Sequence, residues 1–180
     1  MQLIQLQHPR SSITLARVPT RGKVDSVDRS KLLSNEREET MNITIKRELN
    51  DVNWEELSTV FERVQWGRRD PEALRRAYHK SFAVCFAYDD DRLVGTARAI
   101  SDGEYYAGIY DAVVLPEYQS QGIGKQLMTA LLEKLPVGNI ILLAVQGKEG
   151  FYEKLGFAKL KTGLGRFSNM EGMRKMGYIE

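Results

Sequence analysis

The chain has 180 residues, about the length of one domain, and 42% of them are hydrophobic against 28% charged, an ordinary balance for a globular protein. The mean hydropathy of −0.39 and the lack of any run near the ~18 apolar residues of a spanning helix argue against a membrane-embedded protein. Twenty-six basic and 24 acidic residues leave a net charge of +2, too small to predict a nucleic acid as the main partner.

Cysteine and histidine are scarce. The chain has one cysteine, Cys85, and two histidines. A single cysteine excludes an internal disulfide bond, and this usage fits a reducing compartment such as the cytoplasm. Because these residues are too few for a zinc site of the usual spacing, we expect no metal.

The first 40 residues differ in character from the rest. Residues 1–24 contain four basic residues and no acidic one, a composition shared by organellar transit peptides. Residues 25–40 show neither helical nor strand periodicity, as expected of a segment that buries too little apolar area to order itself. We therefore predict a domain over residues 41–180, preceded by a disordered leader that is either a spurious or a targeting extension. An organellar location is the alternative to the cytoplasm.

The predicted domain opens with a strand and two helices. Apolar residues alternate over 41–49, which predicts a strand. Helical spacing over 54–64 predicts a helix capped by Asn50 or Asp51. Asp70, followed at once by proline, is typical of the start of a second helix.

Three strands and a helix follow. The apolar runs at 81–88 and 92–100 are joined by an acidic turn and predict a hairpin. Residues 105–115 predict a long central strand that ends at a proline. Helical spacing then resumes over 123–135.

The last third of the chain predicts shorter elements. Residues 139–145 are almost wholly apolar, as in a strand covered on both faces. Residues 149–155 predict a short helix, and 157–160 a last strand with a partner within 167–176. The chain therefore predicts a mixed α/β (α+β) fold, in which a mainly antiparallel sheet of six to seven strands is flanked by about four helices. One parallel β-α-β crossover lies within it.

The loop of that crossover is rich in glycine and lies at the start of a helix. Glycines allow several backbone N–H groups to converge on one anion, and the helix dipole adds positive potential there. A phosphate or pyrophosphate is the natural ligand of such a loop. Its residues are Gln119, Ser120, Gln121, Gly122, Ile123, Gly124, Lys125 and Gln126.

Two common nucleotide motifs do not fit this loop. A P-loop would need glycine in place of Gln119 and serine or threonine in place of Gln126. A dinucleotide-binding GxGxxG motif beginning at Gly122 would need glycine in place of Leu127. ATP, GTP and NAD are therefore poor candidates.

The pattern that does match is [Q/R]xxGx[G/A], formed by Gln119, Gly122 and Gly124. With this pattern the sequence resembles the GCN5-related N-acetyltransferase (GNAT) superfamily, in which the loop holds the pyrophosphate of acetyl-CoA. Three further segments support the resemblance, which covers residues 41–165. Residues 109–118 are similar to the fourth strand and its exit, 140–144 to the fifth strand, and 150–157, which read GFYEKLGF, to the segment that follows.

The resemblance implies an acyltransferase that moves an acetyl group from the co-substrate acetyl-CoA to a primary amine. The amine, that of a small molecule, would attack directly in a ternary complex. Two alternatives stay open: acetylation of protein lysines or N-termini, and a catalytically silent domain that senses acyl-CoA. A homodimer is also open.

The resemblance also implies roles for individual residues. Backbone groups of Val113 and Val114 would bind pantetheine, and the Val114 N–H would face the thioester oxygen. Tyr152 stands at the position of the general acid. Asp111, a carboxylate in an apolar strand, is a candidate general base, although an ion pair with an arginine such as Arg98 would make it structural instead.

The acceptor side is less constrained by the sequence. Trp66, in the loop that walls the acceptor pocket in the family, and Tyr105 and Tyr106 are candidates for shaping an apolar pocket. Some relatives that act on arylalkylamines carry an acid seven residues before the tyrosine, and many others an asparagine. Val145 stands there in this chain, which argues against a close analogy with those enzymes.

Overall fold

Alternating apolar residues build one five-stranded sheet in residues 41–180, the part of the chain that this computed structural model describes. The strands are β1 (Ile43–Lys46), β2 (Ala83–Asp89), β3 (Arg92–Ser101), β4 (Tyr106–Val114) and β5 (Asn139–Leu142). The helices are α1 (Trp54–Arg63), α2 (Pro71–His79), α3 (Ile123–Leu132), α4 (Glu149–Glu153) and α5 (Met170–Lys175), with a 3-10 turn at Pro116–Tyr118. The predicted leader and domain boundary concern residues 1–40 and lie outside the described residues.

The strands follow one another across the sheet in chain order. Neighbouring strands from β1 to β4 are antiparallel, whereas β4 and β5 are parallel and are joined through α3. The predicted α/β class and the single parallel crossover are thus confirmed. The described residues form five strands and five helices, rather than six to seven strands and about four helices.

The strand prediction was wrong at the C-terminal end. Neither 157–160 nor any part of 167–176 joins the sheet. The Phe157 N–H instead bonds to the Tyr152 carbonyl as α4 ends. Asn169 accepts a hydrogen bond from the Gly172 N–H at 2.8 Å and caps α5, so a local cap produces a helix where the sequence suggested a strand partner.

The cap of the first helix also differs from the prediction. Asn53, not Asn50 or Asp51, accepts the Glu56 N–H at 3.1 Å. Asp51 instead takes a left-handed conformation, with φ of +59°, in the turn before the helix. The second cap was predicted correctly, because Asp70 accepts the Ala73 N–H at 2.8 Å.

Helices pack on both faces of the sheet. On one face Tyr78 of α2 stacks on Phe86 of β2 at 5.5 Å between ring centroids. On the other, α3 buries Leu127 against Gly95 of β3, where a β-carbon would meet the Val113 carbonyl oxygen at 2.8 Å. Glycine at this position therefore sets how closely α3 approaches the strands next to the crossover loop.

The prediction that β5 is covered on both faces was wrong. Ile141 is 55% exposed, and Leu143, just beyond the strand, is 62% exposed. Exposed and half-buried residues alternate along β5, so one face of this strand packs against the protein and the other is open to solvent. Among the described residues no helix has the length and apolar character to cross a membrane, and no group of three metal-ligating side chains occurs.

Candidate active site

The two parallel strands separate halfway along β4. Their ladder runs from Tyr106 opposite Asn139 to Ile109 opposite Leu142, where it ends. The second half of β4, from Tyr110 to Val114, pairs only with β3. Backbone groups on this side of β4 therefore face an opening and not a neighbouring strand.

A β-bulge lies in the unpaired half of β4. Thr96 of β3 is opposite Val113 and Arg98 is opposite Tyr110, so three steps on β4 match two steps on β3. Asp111 accommodates the extra residue in a left-handed conformation, with φ of +57°. Bulges of this kind bend a strand and redirect its backbone groups.

The crossover loop begins directly beyond β4 and is held by two side-chain hydrogen bonds, one to the end of the strand and one to the 3-10 turn. The Gln119 amide donates to the Val114 carbonyl oxygen at 2.9 Å, and the Gln121 amide donates to the Glu117 carbonyl oxygen at 2.9 Å. Ser120 and Gly122 both have positive φ, +65° and +84°. Two left-handed residues so close together fold the loop back over the start of α3.

The amides of this loop are free within the described part of the chain. The first backbone bond of the helix runs from the Gln126 N–H to the Gly122 carbonyl, and no hydrogen bond takes up the N–H groups of residues 120–125. Gly122 has no side chain that could cap the helix, and a β-carbon there would meet nothing within 4 Å. Free amides at the positive end of a ten-residue helix can bind an anion.

Helix α4 brings Tyr152 to the same corner. A β-carbon at Gly124 would lie 3.5 Å from the Phe151 ring and 3.9 Å from the Val114 side chain, so α4, α3 and the end of β4 meet there. The Tyr152 ring packs edge-on against Phe151 and Phe157, at 5.0 and 6.1 Å between centroids.

The hydroxyl of Tyr152 is suited to donating a proton. Burial raises the pKa of the Tyr152 phenol above its usual value, and the charge of Tyr178 adds a smaller effect in the same direction. The phenol therefore keeps its proton at neutral pH. It can act as a hydrogen-bond donor or a general acid.

Asp111 is engaged by two arginines. Its carboxylate accepts from Arg98 Nε at 2.5 Å and from Arg69 Nη1 at 2.9 Å, and its side chain is only 8% exposed. Arg98 in turn lies over the rings of Tyr78 and Tyr110, at 5.6 and 5.4 Å from their centroids. The ion pair with Arg98, the alternative to a general base, is thus present.

The predicted acceptor residues do not lie together. Trp66 is 38% exposed and stacks on Phe61 at 6.2 Å in the loop between α1 and α2. Tyr105 and Tyr106 lie at the other end of β4, and Tyr106 is eight residues before Val114, which is roughly 26 Å along a strand. The structure therefore separates these tyrosines from the open end of the β4–β5 pair.

Sequence reasoning did not identify Arg69 or Tyr110 as residues of the site. Arg69 joins the loop between α1 and α2 to Asp111, and Tyr110 shields Arg98 while staying 47% exposed. The sequence carries no signal for a contact between residues 42 positions apart. For Tyr110, strand alternation alone does not indicate that an arginine lies against its ring.

An opened parallel strand pair, a loop of free amides and a protonated tyrosine are features that suit an acyl-CoA-dependent transferase. The sequence model of the Acetyltransferase (GNAT) family matches residues 48–157. The chain belongs to this family of N-acetyltransferases.

Named relatives and a solved structure are consistent with this membership. GCN5-related N-acetyltransferase 1, chloroplastic, of Arabidopsis thaliana is 34% identical over 73% of this chain and 70% of its own length. Serotonin N-acetyltransferase 2, chloroplastic, of Oryza sativa subsp. japonica is 40% identical over 57% of this chain and 54% of its own. A GNAT family acetyltransferase of Streptococcus pneumoniae superposes with a TM-score of 0.62 at 31% identity, over 71% of this chain and 98% of the other.

Proposed function

We propose that this protein transfers the acetyl group of acetyl-CoA to the primary amine of a small molecule. The observation that carries the proposal is the row of free N–H groups at residues 120–125, immediately beside the stretch of β4 that has no partner on β5. The free N–H groups suit a pyrophosphate, and the unpaired stretch of β4 suits an extended chain that contains amides. Acetyl-CoA contains both, together with an activated thioester.

The crossover loop and β4 would bind different parts of acetyl-CoA. The N–H groups from Ser120 to Lys125 would hold the pyrophosphate, reinforced by the exposed Lys125 ammonium in the first turn of α3. The two amides of pantetheine would pair with the unpaired edge of β4 near Val113 and Val114, as an added strand does. The Val114 N–H would then face the thioester oxygen.

The reaction requires two proton movements. The amine nitrogen attacks the thioester carbon, the carbon–sulfur bond breaks, the nitrogen loses a proton and the sulfur gains one. Tyr152 is the donor to sulfur in this proposal, because its buried phenol is protonated at neutral pH. An oxyanion at the carbonyl would be stabilised by the fixed Val114 amide.

The residues beside the unpaired half of β4 are the basis for proposing a small amine as the acceptor. The loop between α1 and α2 presents Trp66 and Arg69 beside the open end of β4. Relatives carry names with different acceptors, including a histone acetyltransferase of Glycine max and the serotonin enzyme of rice. Acetylation of protein lysines is therefore the second candidate.

Binding and turnover can be tested separately. Acetyl-CoA should raise the melting temperature of the purified protein, and thiol release should be measured over polyamines, aromatic amines, amino acids and lysine peptides. Turnover with a small amine supports the proposal, and turnover with peptides alone supports the second candidate. Stabilisation without turnover on any amine would favour a silent acyl-CoA sensor, and no stabilisation would reject the site.

We also propose an organellar location over a cytoplasmic one. Several relatives are named as chloroplastic, and residues 1–24 are basic and lack acids. A fluorescent protein fused after residue 40 should enter plastids in plant cells. Replacing the four basic residues of that segment with glutamine should leave the fusion in the cytoplasm, and a fusion that stays cytoplasmic from the start would contradict the proposal.

A further inference from the structure

We propose that Asp111 is a positioning residue: with Arg69 and Arg98 it clamps the loop at residues 65–69, the acceptor-side loop, onto the bulge of β4. The inference rests on the proposed function in so far as that loop borders the acceptor. It assigns Asp111 a role other than taking a proton from the amine.

The carboxylate of Asp111 has a separate arginine on each oxygen. Oδ2 accepts from Arg98 on the neighbouring strand and Oδ1 accepts from Arg69 on the loop. The side chains of Asp111 and Arg98 are 8% and 14% exposed, so this ion pair is shielded from water. A charge-assisted bond in such surroundings is stronger and more directional than a surface pair.

Arg69 is the residue that links this pair to the loop. Its guanidinium lies 4.0 Å from the centroid of the buried Phe61 ring, on which Trp66 also stacks. Its carbonyl oxygen accepts the hydroxyl of Ser58, a buried residue of α1. Arg69 is therefore fixed at its backbone and along its side chain before it reaches Asp111.

The backbone conformation of Asp111 connects the clamp to the bulge of β4. A left-handed φ of +57° is uncommon outside glycine, although aspartate and asparagine adopt it more readily than other residues. Arg98, held between Tyr78 and Tyr110, bonds the side chain of this strained residue. The Asp111 carboxylate thus connects two parts of the structure. One is the bulge that redirects Val113 and Val114, and the other is the loop that carries Trp66.

A positioning role predicts a specific pattern of kinetic effects. Replacing Arg69 with alanine releases the loop but leaves the acetyl-CoA loop intact, so KM for the amine should rise about tenfold, with KM for acetyl-CoA unchanged. Arg69→Lys, which can still reach the carboxylate, should recover part of this loss. Arg68→Ala is the matched control, because within residues 41–180 the ion pairs of Arg68, in the same loop, are to Glu55 and Glu62 of α1 and not to Asp111.

Asp111→Asn separates positioning from base catalysis. Asparagine keeps the size and tolerates the left-handed conformation but loses the charge. A positioning residue then gives a raised KM for the amine, a modest fall in kcat and an unchanged acidic limb of the kcat–pH profile. A fall in kcat of about 100-fold or more, with an unchanged KM for the amine and a lost acidic limb, would overturn the proposal.

A measurement without turnover distinguishes failure of this inference from failure of the proposed function. Amide hydrogen exchange of peptides that cover residues 64–70 should become faster in Arg69→Ala and in Asp111→Asn, and should not change in Arg68→Ala. Equal exchange in all four proteins would overturn the clamp even if the wild type is active. Faster exchange in a protein that acetylates no amine would instead support the clamp and reject the proposed reaction.

Discussion

Gln119 Nε2 donates a hydrogen bond at 2.9 Å to the carbonyl oxygen of Val114, the last residue of β4 and five positions earlier in the chain. The bond joins the loop of free amides to the strand end whose N–H faces the opening. The side chain of Gln119 therefore positions the loop and does not itself supply anion-binding charge.

Gln119→Ala should accordingly weaken acetyl-CoA binding by about two- to tenfold, the effect of losing a hydrogen bond worth about 0.5–1.5 kcal/mol. Calorimetric titration of acetyl-CoA measures this change. Gln121→Ala is the comparison, because the Gln121 amide bonds within the 3-10 turn, to Glu117. An equal loss in both variants would mean that Gln119 has no special link to β4.

Gly122→Asp should abolish the thermal stabilisation by acetyl-CoA. The aspartate would add a negative charge among the amides proposed to donate to the pyrophosphate, while its β-carbon meets nothing within 4 Å. Gly122→Asn isolates the charge, because asparagine has nearly the same shape as aspartate and meets the same backbone strain at the φ of +84°. If the two variants lose the same binding, shape and not charge governs the site.

Gly95→Ala should lower the free energy of unfolding by about 1–3 kcal/mol, the usual cost of overpacking a core. The new β-carbon would lie 2.8 Å from the Val113 carbonyl oxygen and 3.1 Å from Leu127 Cδ1. Urea unfolding followed by circular dichroism gives the difference. Gly138→Ala is the control, since a β-carbon at Gly138 meets nothing within 4 Å, and it should unfold near the wild-type midpoint.

The glycine-rich crossover loop could be placed between a strand and a helix from the sequence because its determinants are local. Glycine at 122 and 124, the end of a strand and the start of a helical period lie within a short segment of sequence. The same holds for Tyr152, whose neighbours Phe151 and Phe157 share its motif. Whether the N–H groups of this loop are free could be judged only from the three-dimensional structure, because acceptors from distant parts of the chain could bond to them.

Features that depend on distant contacts were not predictable. The pair of Arg69 and Asp111 links residues 42 positions apart, and the bulge at Asp111 depends on its register with β3. The failed strand at 167–176 has a different cause: its methionines and glycines show no clear period, and the cap at Asn169 decided the structure. The position of Tyr105 and Tyr106 at the start of β4, away from Val114, was also not readable from the sequence, because a turn does not reveal which end of the sheet it occupies.

Tyr152→Phe should lower kcat by about 100-fold and leave acetyl-CoA affinity unchanged. Phenylalanine keeps the packing of the ring and removes only the hydroxyl group, and with it the proton that would be donated to sulfur. Steady-state kinetics and calorimetry test the two parts. Tyr106→Phe, a change on an exposed ring far along β4, is the control, and equal rates in both variants would exclude Tyr152 as the acid.

The pH profile adds an independent test of Tyr152. Because burial raises its pKa above the ordinary value of 10.0, the acid form persists through neutral pH and is lost only above about pH 10. The alkaline limb of kcat due to Tyr152 should therefore lie above pH 10. An alkaline limb below pH 9 that disappears in Tyr152→Phe would contradict this assignment of the proton.

Cys85 should be unreactive in the folded protein and reactive once the protein unfolds. It is fully buried in β2, and burial raises its pKa from 9.0 to about 11, so the nucleophilic thiolate is scarce. A thiol reagent at pH 8 should label no cysteine in the native protein and one in urea. The raised pKa also predicts a stability contribution that is complete below pH 9 and is lost as the pH rises towards 11. Rapid labelling under native conditions would show that β2 opens, and Cys85→Ser would then be needed before any thiol-release assay of activity.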